Sequence, residues 1–149
     1  MNPPAYAPLW LRLAALLYDL LVLVAVWMAA AGLVLLAFRG DVDVAHQPPL
    51  FHHVLQGVLL VLTALYFAVS WARGGQTIGM RAWRVRIIDA QENPPDLRRS
   101  LLRFVLAIAS ALLLGFGFIW CLFDRERRGW HDVVTKTRMV RLRKPGSPD

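Results

Sequence analysis

The sequence predicts an all-α membrane protein: two transmembrane helices, a third apolar segment that is either a re-entrant hairpin or a full span, and a short two-stranded cytoplasmic element. Three observations predict it. The 149-residue chain is 57% hydrophobic, more than an ordinary soluble domain carries. Its apolar residues fall into three runs, 13–38, 54–72 and 104–123, each near the length of about 20 residues that crosses a bilayer core. Its net charge of +7 comes from 15 Arg and 2 Lys gathered beside these runs, as positive residues gather on the cytoplasmic side of spans. A basic chain also suits nucleic acid, but flanking arginines are explained by topology, so no nucleic-acid partner is expected. The expected partner is the lipid bilayer, contacted by one membrane domain over 8–143. Residues 144–149 are expected to form a disordered tail.

Residues 1–11 (MNPPAYAPLWL) read as an irregular lead-in, because Pro3, Pro4 and Pro8 oppose helix. The first span follows. Asp19 is its one charged residue, and an aspartate at a helix centre costs about 2.5–3.5 kcal/mol on insertion scales. Arg12 precedes it by two helical turns, so both residues project from one face. That face is expected to turn toward protein, with Arg12 and Asp19 as a pair. The run is too long for the h-region of a cleaved signal, and it contains a charge. Ala25, Ala29 and Gly32 supply small residues where a second helix can approach closely.

Residues 39–53 (RGDVDVAHQPPLFHH) read as a polar loop. Its His46, His52 and His53 lack metal-ligand spacing, and no metal or cofactor is expected. The second span contains Thr63 and Ser70, which can bond to backbone, and ends in Tyr66 and Trp71, placed as belt aromatics. Next comes a turn built on Gly74, Gly75, Gln76, Thr77 and Gly79. Three glycines in six residues mark a close backbone approach, without the spacing of a phosphate-binding loop. Residues 82–89 (AWRVRIID) alternate like a half-buried strand. Pro94 and Pro95 break the chain, and Asp96 is placed to cap a helix beginning at Leu97. Arg103 leads into the third run, which holds Gly115, Gly117 and the single cysteine, Cys121. One cysteine makes no internal disulfide. His131-Asp132 follows a basic stretch, and 136–143 reads as a second strand.

Charge and strand pairing conflict with three simple crossings. The segment 73–103 holds seven Arg, and the segment 124–149 holds six Arg and two Lys, whereas the 39–53 loop holds one Arg. Both basic segments belong in the cytoplasm, and the two strands can pair only from one side. The favoured expectation is a re-entrant hairpin turning near Gly115–Gly117, with both termini cytoplasmic; a third full span is the alternative.

These landmarks resemble the RDD family of small bacterial membrane proteins over about Pro8 to Val140. Arg12 and Asp19 match the arginine that opens its first helix and the aspartate that lies within it. Gly74–Gly79 matches its GGQTIG-like turn, and Asp132 after His131 matches the second aspartate, followed by Thr137. Met80 and Trp83-Arg84 depart from its pattern. The resemblance implies an inner-membrane location and transport of an unidentified ligand, with sodium/proton exchange among the activities linked to relatives.

Two readings of function follow. In one, Arg12 poises Asp19 to exchange a proton for a cation, with His131-Asp132 as a relay. Two or three spans cannot enclose a pathway, so this reading requires a homo-oligomer. In the other, Arg12, Asp19 and Asp132 form a buried structural network in an accessory, assembly or scaffold subunit with a membrane-protein partner. Catalysis is not expected, since no nucleophile stands beside His131-Asp132.

Overall fold

A computed structural model describes residues 6–37, 49–113, 120, 124 and 128–142. Helix α1, Leu9–Ala37, starts directly after Pro8. The Leu11 N–H donates to the Pro8 carbonyl at 3.1 Å, closing the first turn. Proline is tolerated at that edge because early helical amides lack intrahelical partners. The lead-in expected to reach residue 11 therefore ends at residue 8. The 29 residues of α1 extend roughly 43 Å, more than the about 30 Å of a bilayer's hydrocarbon core.

Helix α2, Pro49–Gly74, begins five residues before the expected span. Phe51 is buried and draws the helix back into the segment read as loop. His52 and His53 are thus exposed helical residues, whereas His46 lies outside the described residues. Both long helices meet the length and composition of membrane spans. Leu17, Leu21, Met28, Leu33 and Leu36 of α1 and Leu60, Val61 and Leu65 of α2 face outward. The buried residues of α1 form the stripe Leu11, Arg12, Ala15, Asp19, Leu23 and Ala30, so the face carrying both charges is turned to protein.

After α2 the chain turns at Gly75, whose φ of +69° is the left-handed conformation that glycine adopts most readily. The short helix α3, Ile78–Ala82, follows, capped by the Thr77 hydroxyl, which accepts from the Met80 N–H. Arg84 has φ of +53°, so strand β1 begins only at Val85 and runs to Ile88. Helix α4, Leu97–Leu112, is capped by Asp96, which accepts from the Arg99 N–H at 2.7 Å. Helix α5, Trp130–Val134, starts at Gly129, and strand β2, Arg138–Arg141, closes the fold.

The strands are antiparallel, with Val85 opposite Arg141 and Ile88 opposite Arg138. Tyr6 bridges to Val140, and the Ala7 N–H donates to the Met139 carbonyl at 2.9 Å. The N-terminal segment is thereby strapped to the sheet just before α1 begins. Ala7, Leu11 and Ala15 pack with Trp71, Met80, Val85, Ile87, Phe104 and Met139 in one core where the sheet meets the helices. Helix α1 packs on α3 and α2, α4 packs on α2, and α5 packs on α4.

The first part of the third apolar run belongs to α4, which buries Ser100, Arg103, Phe104 and Ser110 while Arg98, Arg99, Leu101 and Leu102 are exposed. The turn expected at Gly115–Gly117, Cys121 and the 144–149 tail lie outside the described residues.

Two buried carboxylates at the sheet end of the bundle

Arg12 and Asp19 do not form the pair that their spacing suggests. Helical side chains lean toward the helix N-terminus, so the Arg12 guanidinium reaches away from Asp19 and toward the sheet. Its Nη1 donates to Asp132 Oδ2 at 2.6 Å, and its Nε donates to the Ala7 carbonyl at 3.3 Å. Each carboxylate has its own cluster.

Asp132 is fully buried and is the third residue of α5. There it accepts from the Gly129 N–H at 3.0 Å, which fixes the helix start. Arg103 Nη1 donates to its other oxygen and to the Thr137 hydroxyl, the latter at 2.8 Å. The Thr137 and Thr135 hydroxyls are 2.9 Å apart, and Thr135 donates to the His131 carbonyl at 2.7 Å. One carboxylate therefore joins α1, α4 and α5, while Thr137 extends the cluster to the lead-in of β2. Burial alone would raise the Asp132 pKa, but the positive charges of Arg103 and Arg12, with the Arg12 hydrogen bond, hold it well below the usual carboxylate range. His131 Nε2 lies 3.8 Å from Asp132 Oδ1. Burial, reinforced by the Arg103 charge, pushes the His131 pKa down to about 4 despite that aspartate. The imidazole is neutral at pH 7.

Asp19 is 2% exposed and forms no ion pair among the described residues. Hydrogen bonds stabilise it instead. Tyr66 Oη donates to Oδ1 at 2.6 Å, the Gly79 N–H donates to the same oxygen at 2.8 Å, and Thr77 Oγ1 donates to Oδ2 at 2.5 Å. The Ile78 N–H donates to Tyr66 Oη at 3.3 Å. The carboxylate is thus an acceptor for the amide end of α3, supplied by a different helix. Close approach makes this possible. A Cβ at Gly79 would stand 2.1 Å from the Ala15 carbonyl and 2.9 Å from the Asp19 carboxylate. Gly74 and Gly75 set the turn, and Gln76 Nε2 donates to the Val85 carbonyl at 2.8 Å, tying it to β1.

Of the residues singled out in the sequence, the structure thus gathers Arg12, His131 and Asp132 in one cluster. Asp19, Thr77 and Gly79 form the other. Arg103, Tyr66, Thr137 and Trp71 were not singled out as site residues. Arg103 shares the buried face of α4 with Ser100 and Phe104, and that spacing is a signal. The sequence suggests belt aromatics at Tyr66 and Trp71, but Trp71 is buried against Phe67, and the Arg103 guanidinium stands 5.1 Å from its ring centroid. Arg12, Asp19, Arg103 and His131 border a cavity of about 570 Å³ between α1, α2 and α4.

A family model described as the RDD family matches residues 6–136. An uncharacterized protein of Bacillus subtilis (strain 168), YxaI, is 27% identical over 84 residues, which are 56% of this chain and 55% of that protein. The match thus spans about half the length of that relative. No solved structure matches the chain.

Proposed function

The chain belongs to the RDD family, and from that premise we propose that it is a multi-pass protein of the bacterial cytoplasmic (inner) membrane whose buried charges are structural. On this reading it is a non-catalytic accessory, assembly or scaffold subunit with a membrane-protein partner. The observation that carries the reading is the state of Asp19. Three donors from α2 and the α3 turn already occupy its oxygens. An exchanging carboxylate has to release its ligands at each cycle, and here release would unfasten α1 from the turn. Asp132 is likewise held by Arg12, Arg103 and the Gly129 amide. Removing one partner of such a buried ionic cluster costs about 3–5 kcal/mol.

The topology in this reading is cytoplasmic at both ends, with a re-entrant third apolar segment. Two contacts support it. β1 precedes that segment and β2 follows it, yet they pair. Arg103 at its start meets Asp132 beyond its end. The basic residues around both strands favour the cytoplasm as their shared side.

Transport is the second reading, favoured by the cavity that Asp19, Arg12 and Arg103 border. It requires a homo-oligomer, because two spans do not enclose a path. Cation-dependent proton movement in everted vesicles separates the readings. The Asp19→Asn variant places an amide nitrogen against a donor, so the structural reading expects less folded protein. It also expects wild-type flux no higher than in empty vesicles. Wild-type flux that disappears in Asp19→Asn at matched protein level would establish transport instead.

A further inference from the structure

Arginines gather around the sheet-side end of α2 with no carboxylate among them. Arg86 is half-buried, and its Nε donates to the Gly74 carbonyl at 3.1 Å. That carbonyl ends a helix, where the backbone dipole favours positive charge. Arg81 reaches the same residue from α3, with its Nη2 3.8 Å from where a Cβ on Gly74 would stand. Arg73, in the last turn of α2, is exposed next to Gly74 in the chain. Two guanidiniums thus converge on one turn, and a third arginine adjoins it.

The partial charge of a helix end, about half an elementary charge, is too small to balance them. The described carboxylates are committed elsewhere. Asp89 lies 3.7 Å from Arg99, Glu92 lies 3.5 Å from Arg138 and Asp124 lies 3.2 Å from Arg128. Asp96 caps α4, and Asp19 and Asp132 are buried in their own clusters. Among the described residues, neither Arg73 nor Arg81 has an ion-pair partner. The cluster also stands at the level of a membrane boundary. Below Arg73 on α2, Leu65 and Val61 face outward, about 12 and 18 Å down the helix. Trp10 at the start of α1 and Trp83 at the end of α3 are both exposed and meet edge to face at 6.1 Å. Exposed tryptophans collect at head-group level.

We propose that Arg73, Arg81 and Arg86 seat the phosphate of an anionic phospholipid of the cytoplasmic leaflet, with its chains along Leu65 and Val61. Planar guanidiniums match the oxygens of a phosphate. Uncompensated positive charge favours a head group with net negative charge, such as phosphatidylglycerol, over one whose phosphate is neutralised by its own choline. A soluble phosphate ester would meet the same guanidiniums, but it has nothing to lay on the outward leucine and valine. The inference rests on the membrane placement proposed above and adds to it a lipid that the protein selects.

The test reconstitutes the full chain in phosphatidylcholine bilayers. A small fixed share of the lipid carries brominated chains, either as phosphatidylglycerol or as phosphatidylcholine, and tryptophan quenching by the two is compared. Trp83 stands two residues from Arg81, and Trp10 stands against Trp83, so both report on a lipid bound there. Quenching by brominated phosphatidylcholine reports insertion. Brominated phosphatidylglycerol should be enriched at the protein by about fivefold or more, the preference that one near-surface arginine supplies. Arg81→Gln should lower that enrichment about fivefold. Arg98→Gln, which removes an exposed arginine at the start of α4, should leave it unchanged, as should soluble glycerol phosphate. Equal quenching of the wild type by the two lipids would overturn the proposal. So would equal losses in Arg81→Gln and Arg98→Gln, which describe a diffuse basic surface, or displacement by glycerol phosphate, which describes a soluble ligand. Absence of quenching by either lipid would overturn the membrane placement and the lipid seat with it. Unaltered circular dichroism in both variants keeps loss of binding distinct from loss of fold.

Discussion

His131 is carried into the fold as a neutral imidazole, and this makes stability depend on pH in a defined window. In the unfolded chain its pKa is near 6.5, and in the folded chain it is about 4. Between those values the unfolded state binds a proton that the folded state does not, so protonation favours unfolding. The contribution is fully present above pH 6.5 and is lost as pH falls toward 4, at no more than about 1.4 kcal/mol per pH unit. Melting followed by near-ultraviolet circular dichroism in detergent should show the midpoint falling through this window. His131→Gln should flatten the dependence there; an unchanged slope would mean that another group titrates. The sequence makes Arg12, Asp19 and Asp132 legible as charges beside or within apolar surroundings, because a buried charge must have a reason. It does not make their partners legible. The backward lean of helical side chains sends Arg12 to a residue 120 positions away, and no local pattern reports such a contact. Arg103 was hidden for a different reason: an arginine beside an apolar run also satisfies the positive-inside rule, and only its helical register with Ser100 and Phe104 separates the two explanations.

At the scale of elements, caps and periodicity were the legible part, and their limits were set by neighbours. Asp96 before Leu97 was readable as a cap because its short side chain reaches the third amide. The resulting prediction is modest and specific. Asp96→Ala should cost about 1 kcal/mol and fray the first turn of α4, seen as faster amide exchange at Leu97–Arg99 than elsewhere in the helix. Because Arg103 lies about two turns beyond the cap, its bonds to Asp132 and Thr137 should survive; loss of the whole fold in this variant would show that α4 depends on its cap for docking. The two strands were also readable from alternation, but each proved shorter than its pattern. Positive φ at Arg84 and Lys136 directs the chain away just before β1 and two residues before β2, and alternation carries no information about φ. Histidines, glutamine and prolines suggest a loop before α2, whereas burial of Phe51 extends the helix into it.

For the molecule as a whole, the decisive relation is between the two ends of the third apolar segment. Charge counting and strand pairing in the sequence both place those ends on one side. In the fold, β1 pairs with β2, and Arg103 and Asp132 join across the same interval. A helix that left Arg103 and crossed a bilayer would place the following residue about 30 Å away, too far for the short arginine–aspartate contact. The proposed topology, in which the third apolar segment re-enters, rests on these two contacts together with the exposed leucines of α1 and α2. Reporter fusions test it. Alkaline phosphatase, active only outside the cytoplasm, should be silent when fused after Asp149 and active when inserted in the 39–48 segment. A fluorescent protein that matures in the cytoplasm should give the opposite pattern. Phosphatase activity after Asp149 would put β2 across the membrane from β1, which their pairing forbids, and the re-entrant reading would have to be given up. Phosphatase silence at both sites would mean that α1 and α2 do not cross, and the outward leucines would then need a protein partner to cover them.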